Sequence, residues 1–258
     1  SMAGTPPGSE MFKLDRITMA DYADAKLGEF VIEGFDISLP GQGVIKLGTM
    51  SLKGLDLHKS LTGVITMMDQ LAAADPAAPP PQPTPDQLAQ MMPTFEAFEI
   101  ADMKLDFVPP ADPLNASPAP VRMELGRFAI APKAWLGFIP TSLEFTFDGF
   151  KMAVDPNDPK MAQLAAFGIT DIDLSSKIDY AWDEAANRLN VNDLSFNWHG
   201  FGKLSTQAQL DGVTKDAFSA DPLVQQAAMG AALIKKLDVE IENSGMIEAM
   251  LAQQATQQ

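Results

Sequence analysis

Phe30-Val31-Ile32-Glu33-Gly34-Phe35-Asp36-Ile37-Ser38-Leu39, followed by Ile45-Lys46-Leu47-Gly48-Thr49-Met50-Ser51-Leu52-Lys53-Gly54-Leu55-Asp56-Leu57, decides the fold class. Apolar and polar residues alternate in both blocks, the period of a half-buried β-strand. Ile32-Glu33-Gly34-Phe35-Asp36-Ile37 and Leu52-Lys53-Gly54-Leu55-Asp56-Leu57 repeat one short pattern: apolar, charged, Gly, apolar, Asp, apolar. Gly and Asp read as punctuation at the ends of such blocks. Variants of the same block run from Phe95 to Phe107, Val121 to Ile130, Leu143 to Val154 and from Ile169 onward. With no crossover helix between consecutive blocks, a meandering antiparallel sheet is their natural host.

Working outward, Thr170 to Trp198 reads as a hairpin. Ile172, Leu174, Ile178, Tyr180 and Trp182 fall on one face and Leu194, Phe196 and Trp198 on the returning arm, with a turn at residues 183–187. Asp171, Asp173, Ser175, Lys177 and Asp179 form the wet face. A third arm runs from Phe201 to Leu210, after a return made by Gly200 and Gly202. Short amphipathic helices are predicted at five places. Thr84-Pro85-Asp86-Gln87 carries a capping threonine, a proline at the first helical position and a capping-box glutamine. Asp221-Pro222 is expected to start a helix from Leu223 to Ile234, Asp158-Pro159 one from Lys160 to Phe167, and Asn243 or Ser244 one to about Ala255. His58 to Ala73 sets Leu61, Val64, Ile65, Met68 and Leu71 on one stripe. Two proline-rich excursions, residues 75–85 with six prolines and 108–120 with five, cannot join a ladder or continue a helix. The same strand pattern on both sides favours one elongated domain over residues 5–258; division into 5–75 and 86–258 is the alternative.

The 258 residues carry 18 Lys+Arg against 34 Asp+Glu, a net charge of −16. That field repels phosphate backbones and anionic bilayers, so no nucleic-acid partner is expected. Hydrophobic residues make up 46% of the chain, enough for a real core. There is no cysteine, which excludes disulfides, thiolate metal sites and cysteine nucleophiles. Ser1-Met2-Ala3-Gly4 reads as an appended leader, so a native signal or anchor upstream would be missing from this chain.

Catalytic constellations are not found. His58 and His199 are the only histidines and show no metal-ligating spacing. No Gly-x-Ser-x-Gly elbow occurs, and Gly200-Phe201-Gly202-Lys203-Leu204-Ser205 lacks the spacing of a phosphate loop. Asp155-Pro156-Asn157-Asp158-Pro159 departs from a calcium loop and reads as a turn plus helix cap. Asp171 and Asp173 alternate on a solvated strand with no aromatic platform beside them. Asn115-Ala116-Ser117 matches a glycosylation acceptor but precedes Pro118. The chain is therefore read as non-enzymatic, with no cofactor and no metal.

Fifteen Phe and 15 Met against 2 Tyr and 3 Trp remain as the distinctive inventory. Methionine repacks at low cost around flexible alkyl chains, so a curved sheet with one apolar face and short helices over it would offer a lipid-sized groove. Its candidate lining is Met68, Met91, Met92, Phe95, Phe145, Phe147, Phe196, Trp198 and Met229.

The closing segment, Leu233 to Ala255, with Asn243-Ser244-Gly245 between a strand and a helix, resembles the strand, Asn-x-Gly turn and helix of YdgA-like bacterial envelope proteins. The repeated strands are similar in pattern to those of the YdgA-like and AsmA-like families. This resemblance implies a periplasmic β-groove tethered to the inner membrane by an N-terminal segment, with a role in lipid handling or envelope integrity. The expectation is an α+β, mainly β fold: an extended curved antiparallel meander with short amphipathic helices packed on its apolar face. It would bind or transfer an acyl-chain or polycyclic lipid without catalysis. The alternative is an envelope scaffold with a closed core that engages a protein partner.

Overall fold

The structure, a computed structural model, describes residues 11–39, 41–73, 83–84, 87–88, 91–109, 120–137, 139–156, 158 and 161–245. Ten strands form one antiparallel sheet in the order of the chain, β1 to β10, and each pairs only with its neighbours in sequence. They are β1 (Met11–Ala23), β2 (Lys26–Leu39), β3 (Gly43–Asp56), β4 (Ala97–Phe107), β5 (Val121–Leu136), β6 (Ile139–Ala153), β7 (Asp171–Asp183), β8 (Arg188–Trp198), β9 (Gly202–Asp211) and β10 (Leu233–Asn243). The mainly β meander expected from the sequence is thus present as an open curved sheet. β3 and β4 pair directly, Lys53 opposite Ala97, so the residues between them leave the sheet and return to the adjacent position.

Asp24 and Ala25, at φ 50° and 59°, close the first hairpin with a two-residue turn that has both central residues left-handed, the geometry that matches strand twist. More unusual is a line of small or acidic residues crossing six strands. Asp15, Gly34, Gly48, Asp102, Gly126 and Gly149 lie at successive facing positions on β1 to β6, each bracketed by paired neighbours such as Leu14 with Phe35 and Arg16 with Glu33. Gly34, Asp102 and Gly149, on alternate strands, have φ of 63°, 55° and 64°. A second, shorter line joins Asp21 (φ 56°), Gly28 and Gly54 (φ 61°).

These positions explain why Gly does not end the blocks, as the sequence suggests, but sits inside the strands. On each of these strands the line residue interrupts the two-residue alternation, left-handed on β2, β4 and β6 only, and apolar residues on either side lie three apart: Leu14 and Ile17, Ile32 and Phe35, Leu47 and Met50, Ile100 and Met103, Leu125 and Phe128, Phe147 and Phe150. The rings of Phe147 and Phe150 stack at 5.5 Å across Gly149, so both stand on one side of the sheet. On β7, which lacks such a residue, a register shift opposite Phe147 and Phe150 absorbs the difference.

Three helices are described: α1 (His58–Ala73), α2 (Ala162–Ala166) and α3 (Pro222–Gly230). α1 forms over the expected range despite Gly63. Thr62 and Thr66 hydroxyls donate to the His58 and Thr62 carbonyls at 2.9 Å, inside their own helix. The capping box at Thr84 is made reciprocally: Thr84 N donates to Gln87 Oε1 at 2.9 Å and Gln87 N to Thr84 Oγ1 at 3.3 Å. Asp221 caps α3 by accepting from Leu223 N at 2.9 Å. α3 ends at Gly230 rather than Ile234, because Leu233 and Ile234 join the ladder with β9, opposite Asp211 and Leu210. α2 is shorter than the expected span of 160–167. The helix expected after Asn243 lies outside the described residues, as do residues 110–119 of the second proline-rich excursion and most of the first.

Buried residues are few among those described. Leu125, Val154, Ile169, Val213 and Ala217 are the buried apolar ones. Val213 and Ala217 plug one end of the sheet, where the Trp182 indole donates to the Val213 carbonyl at 2.7 Å and stacks obliquely on Phe218 at 4.9 Å. At the same end Asp211 joins three strands, accepting from Arg188 Nε at 2.6 Å and facing Lys235 Nζ at 3.8 Å. The Arg188 hydrogen bond holds the Asp211 carboxyl below the ordinary carboxylate range. The stability it contributes is present above the ordinary value of about 4 and is lost as pH falls through the lowered folded-state value. Asp211→Asn should therefore lower the urea midpoint at neutral pH, and the gap to the parent should close as the medium is acidified; a pH-independent gap would refute this reading.

Candidate apolar binding face

Pairing register assembles the alternating residues into rows that run across the sheet. One row crosses all ten strands: Met19, Phe30, Leu52, Phe98, Ile130, Phe145, Ile178, Leu194, Thr206 and Val239. The next also crosses all ten: Ile17, Ile32, Met50, Ile100, Phe128, Phe147, Ser176, Phe196, Leu204 and Ile241. Beyond the glycine line a third row continues from Phe12 through Ile37, Ile45, Leu105, Met123 and Met152 to Ile172. At ordinary strand spacing ten strands extend about 43 Å, more than the hydrocarbon thickness of a bilayer.

Edge-on ring contacts bind the middle of this face, Phe98 to Phe128 at 6.2 Å and Phe128 to Phe145 at 5.6 Å. Side chains there are half-buried by one another. Toward the edges the rows open to solvent, Ile17 being 53% exposed on β1 and Ile241 68% on β10. The Trp198 indole N–H is sheltered from water and has no acceptor among the described residues. Tyr180, in contrast, donates its hydroxyl to the Pro140 carbonyl at 3.0 Å, and burial pushes its phenol up from the ordinary value.

The opposite face is ionic. Lys13, Asp36, Lys46, Lys104, Glu124, Lys151 and Asp173 face one another in sequence across seven strands, with Lys104 to Glu124 at 3.1 Å and Lys151 to Asp173 at 3.5 Å. Arg16 pairs with Glu33 and Lys133 with Glu144 on the same principle. Such exposed pairs add little stability singly, but they keep this face wet and fix which side of the sheet is apolar.

Of the nine residues singled out from the sequence, Phe145, Phe147 and Phe196 lie in the two long rows, and Trp198 stands opposite Leu174, one step beyond Phe196. Phe95 lies apart, edge-on to Trp135 at 6.0 Å. Met68 on α1, Met92 in the connector and Met229 on α3 are open to solvent, and Met91 is half-buried. The α1 stripe of Leu61, Val64, Ile65, Met68 and Leu71 is itself exposed, and α3 packs on the single helical turn at Lys215–Phe218. Phe98, Phe128 and Ile130 were not among the nine. The signal for Phe128 is its spacing of three from Leu125 around Gly126, and Phe98 and Ile130 follow by alternation from Ile100 and Phe128.

Other chemistry is sparse. A depression of about 540 Å³ on the ionic side, at the end of β7 and β8, is lined by Arg122, Lys151, Asp171, Asp173, His199 and Phe201 among others. Its carboxylates are engaged: Asp173 pairs with Lys151 and Asp171 accepts from the Thr170 hydroxyl at 2.8 Å. His199 donates its backbone N–H to the Asp173 carbonyl at 2.9 Å. At Asp155 to Asp158 the chain makes a turn, Asp158 N donating to the Asp155 carbonyl at 3.1 Å. No metal-ligating group of three or more His, Asp or Glu side chains occurs among the described residues.

Fold and face together define an open amphipathic β-meander. A family model whose description reads "Uncharacterized protein" matches residues 195–258, which take in the end of β8, all of β9 and β10. No curated protein and no solved structure matches the chain.

Proposed function

We propose that this protein is a non-catalytic lipid-binding or lipid-transfer element that holds an acyl chain or polycyclic lipid against the apolar face of its sheet. The observation that carries the reading is the pair of rows that cross ten strands and are apolar at every position but Thr206 in one and Ser176 in the other, with no second layer over them among the described residues. An apolar surface of that extent on a soluble chain marks a binding surface. Bound lipid would supply the missing layer through apolar burial, at about 25 cal/mol per Å² before ordering costs. α3 would close over the face when it is loaded, which is where helix packing on the sheet enters the reading. The resemblance of Leu233 to Ala255 to YdgA-like and AsmA-like proteins supports a bacterial periplasmic setting with an inner-membrane anchor.

Native mass spectrometry of the purified chain, followed by organic extraction, tests this directly. A stoichiometric lipid adduct is expected; a clean apo mass that persists after incubation with envelope lipids would overturn the proposal. The open apolar row of β10, with Ile234, Leu237, Val239 and Ile241 all more than half exposed at a sheet edge, favours a second reading. In it the sheet is an envelope scaffold extended by a partner's strand.

A further inference from the structure

We infer that one end of the sheet docks on an electrically neutral lipid surface, with α1 as its principal contact. The antiparallel order puts the last residues of β1, β3, β5, β7 and β9 and the first of β2, β4, β6, β8 and β10 at the same end. α1 leaves that end after β3, and α3 lies there between β9 and β10. Among the described residues the exposed large apolar side chains gather at this end. α1 presents Leu61, Val64, Ile65, Met68 and Leu71; α3 presents Leu223, 77% exposed; Tyr22 and Leu136 stand at strand tips. The opposite end shows far fewer, with Phe12, Val108 and Ile241 among them.

Charge selects the occupant. Over its 16 residues α1 carries one cation, Lys59, and one anion, Asp69, apart from the His58 imidazole. Ser60, Thr62, Gly63, Thr66 and Gln70 make up most of the rest of its polar side, and both threonine hydroxyls are satisfied within the helix. An amphipathic helix of this kind gains its affinity from apolar insertion into packing defects and not from anionic headgroups, whereas a chain of net charge −16 is repelled by those headgroups. The fit is therefore to zwitterionic, loosely packed bilayer. The inference goes beyond the groove reading and does not depend on it, since α1 and the sheet face are different surfaces.

Flotation of the full chain with sonicated vesicles of dioleoyl phosphatidylcholine tests it. The parent should float, partition into these vesicles at least tenfold better than into vesicles doped with phosphatidylglycerol, and lose at least tenfold in Ile65→Glu/Met68→Glu. Circular dichroism would show that the double variant keeps its fold, and Thr62→Glu, on the polar side of α1, should float like the parent. Phe147→Asp, on the sheet face, should also float like the parent, which separates docking from lipid uptake. A parent that stays at the bottom of the gradient, or a double variant that floats equally, overturns the inference. So does a concentration-dependent dimer in light scattering that Ile65→Glu/Met68→Glu dissociates without any flotation of the parent, since the stripe would then join two copies.

Discussion

Valine at position 34 should destabilise the fold by about 3 kcal/mol or prevent it from forming, because two penalties coincide there. Gly34 has φ +63°, a conformation in which a β-branched residue is an outlier. A Cβ at that position would also lie 2.8 Å from Asp15 Cβ and closer still to its carboxylate, so β1 would have to move. Gly41 isolates the first penalty: it has φ +76° in an open turn with nothing within 4 Å of a built Cβ, and Gly41→Ala should cost only about 1 kcal/mol. Urea denaturation of both variants is the measurement. Equal, small losses would mean that the transverse line is incidental to the sheet and not a fixed element of it.

Aspartate in place of Phe147 should reduce lipid retention about a hundredfold while the sheet survives, if the apolar face binds as proposed. Phe147 lies between Phe128 and Ser176 in the long row and stacks on Phe150, so a carboxylate there would interrupt the face midway and force any chain lying on it against a charge. Its side chain is half-buried, which confines the folding cost to about 1–2 kcal/mol. Lys104→Ala, on the ionic face, should retain lipid like the parent. Adduct occupancy in native mass spectrometry reads both variants; equal occupancy in Phe147→Asp and the parent would sink the binding proposal.

The strands and their two-sidedness were legible in the sequence because strict alternation leaves one arrangement that keeps charges wet, as Ile172 to Trp182 and Leu194 to Trp198 illustrate. The glycine line was not. A single Gly between alternating blocks reads as a terminus unless its counterparts on neighbouring strands are aligned with it, and that alignment is a property of register, which only pairing supplies. Ile234 belongs to β10 and not to α3 for a related reason: the local sequence would let α3 continue, and the ladder with β9 outweighs that preference. For the candidate site, aromatic strand residues were found because alternation points them inward together. Only composition links the helical methionines to them, and composition does not say which way a helix leans. Met68 and Met229 consequently stand in solvent, away from the aromatic rows they were expected to join.

Because every strand pairs only with its chain neighbours, the two edges of the sheet, β1 and β10, are also its two ends in sequence. Tension applied between the termini would load a single boundary ladder at a time, peeling strands like a zipper instead of shearing all ladders together. The sheet would then yield from its rims inward at modest force, each detached strand lengthening the tether while the remaining strands kept their register. A molecule of this design, anchored at one end and pulled at the other, acts as an extensible leash whose apolar rows shorten by one strand per step.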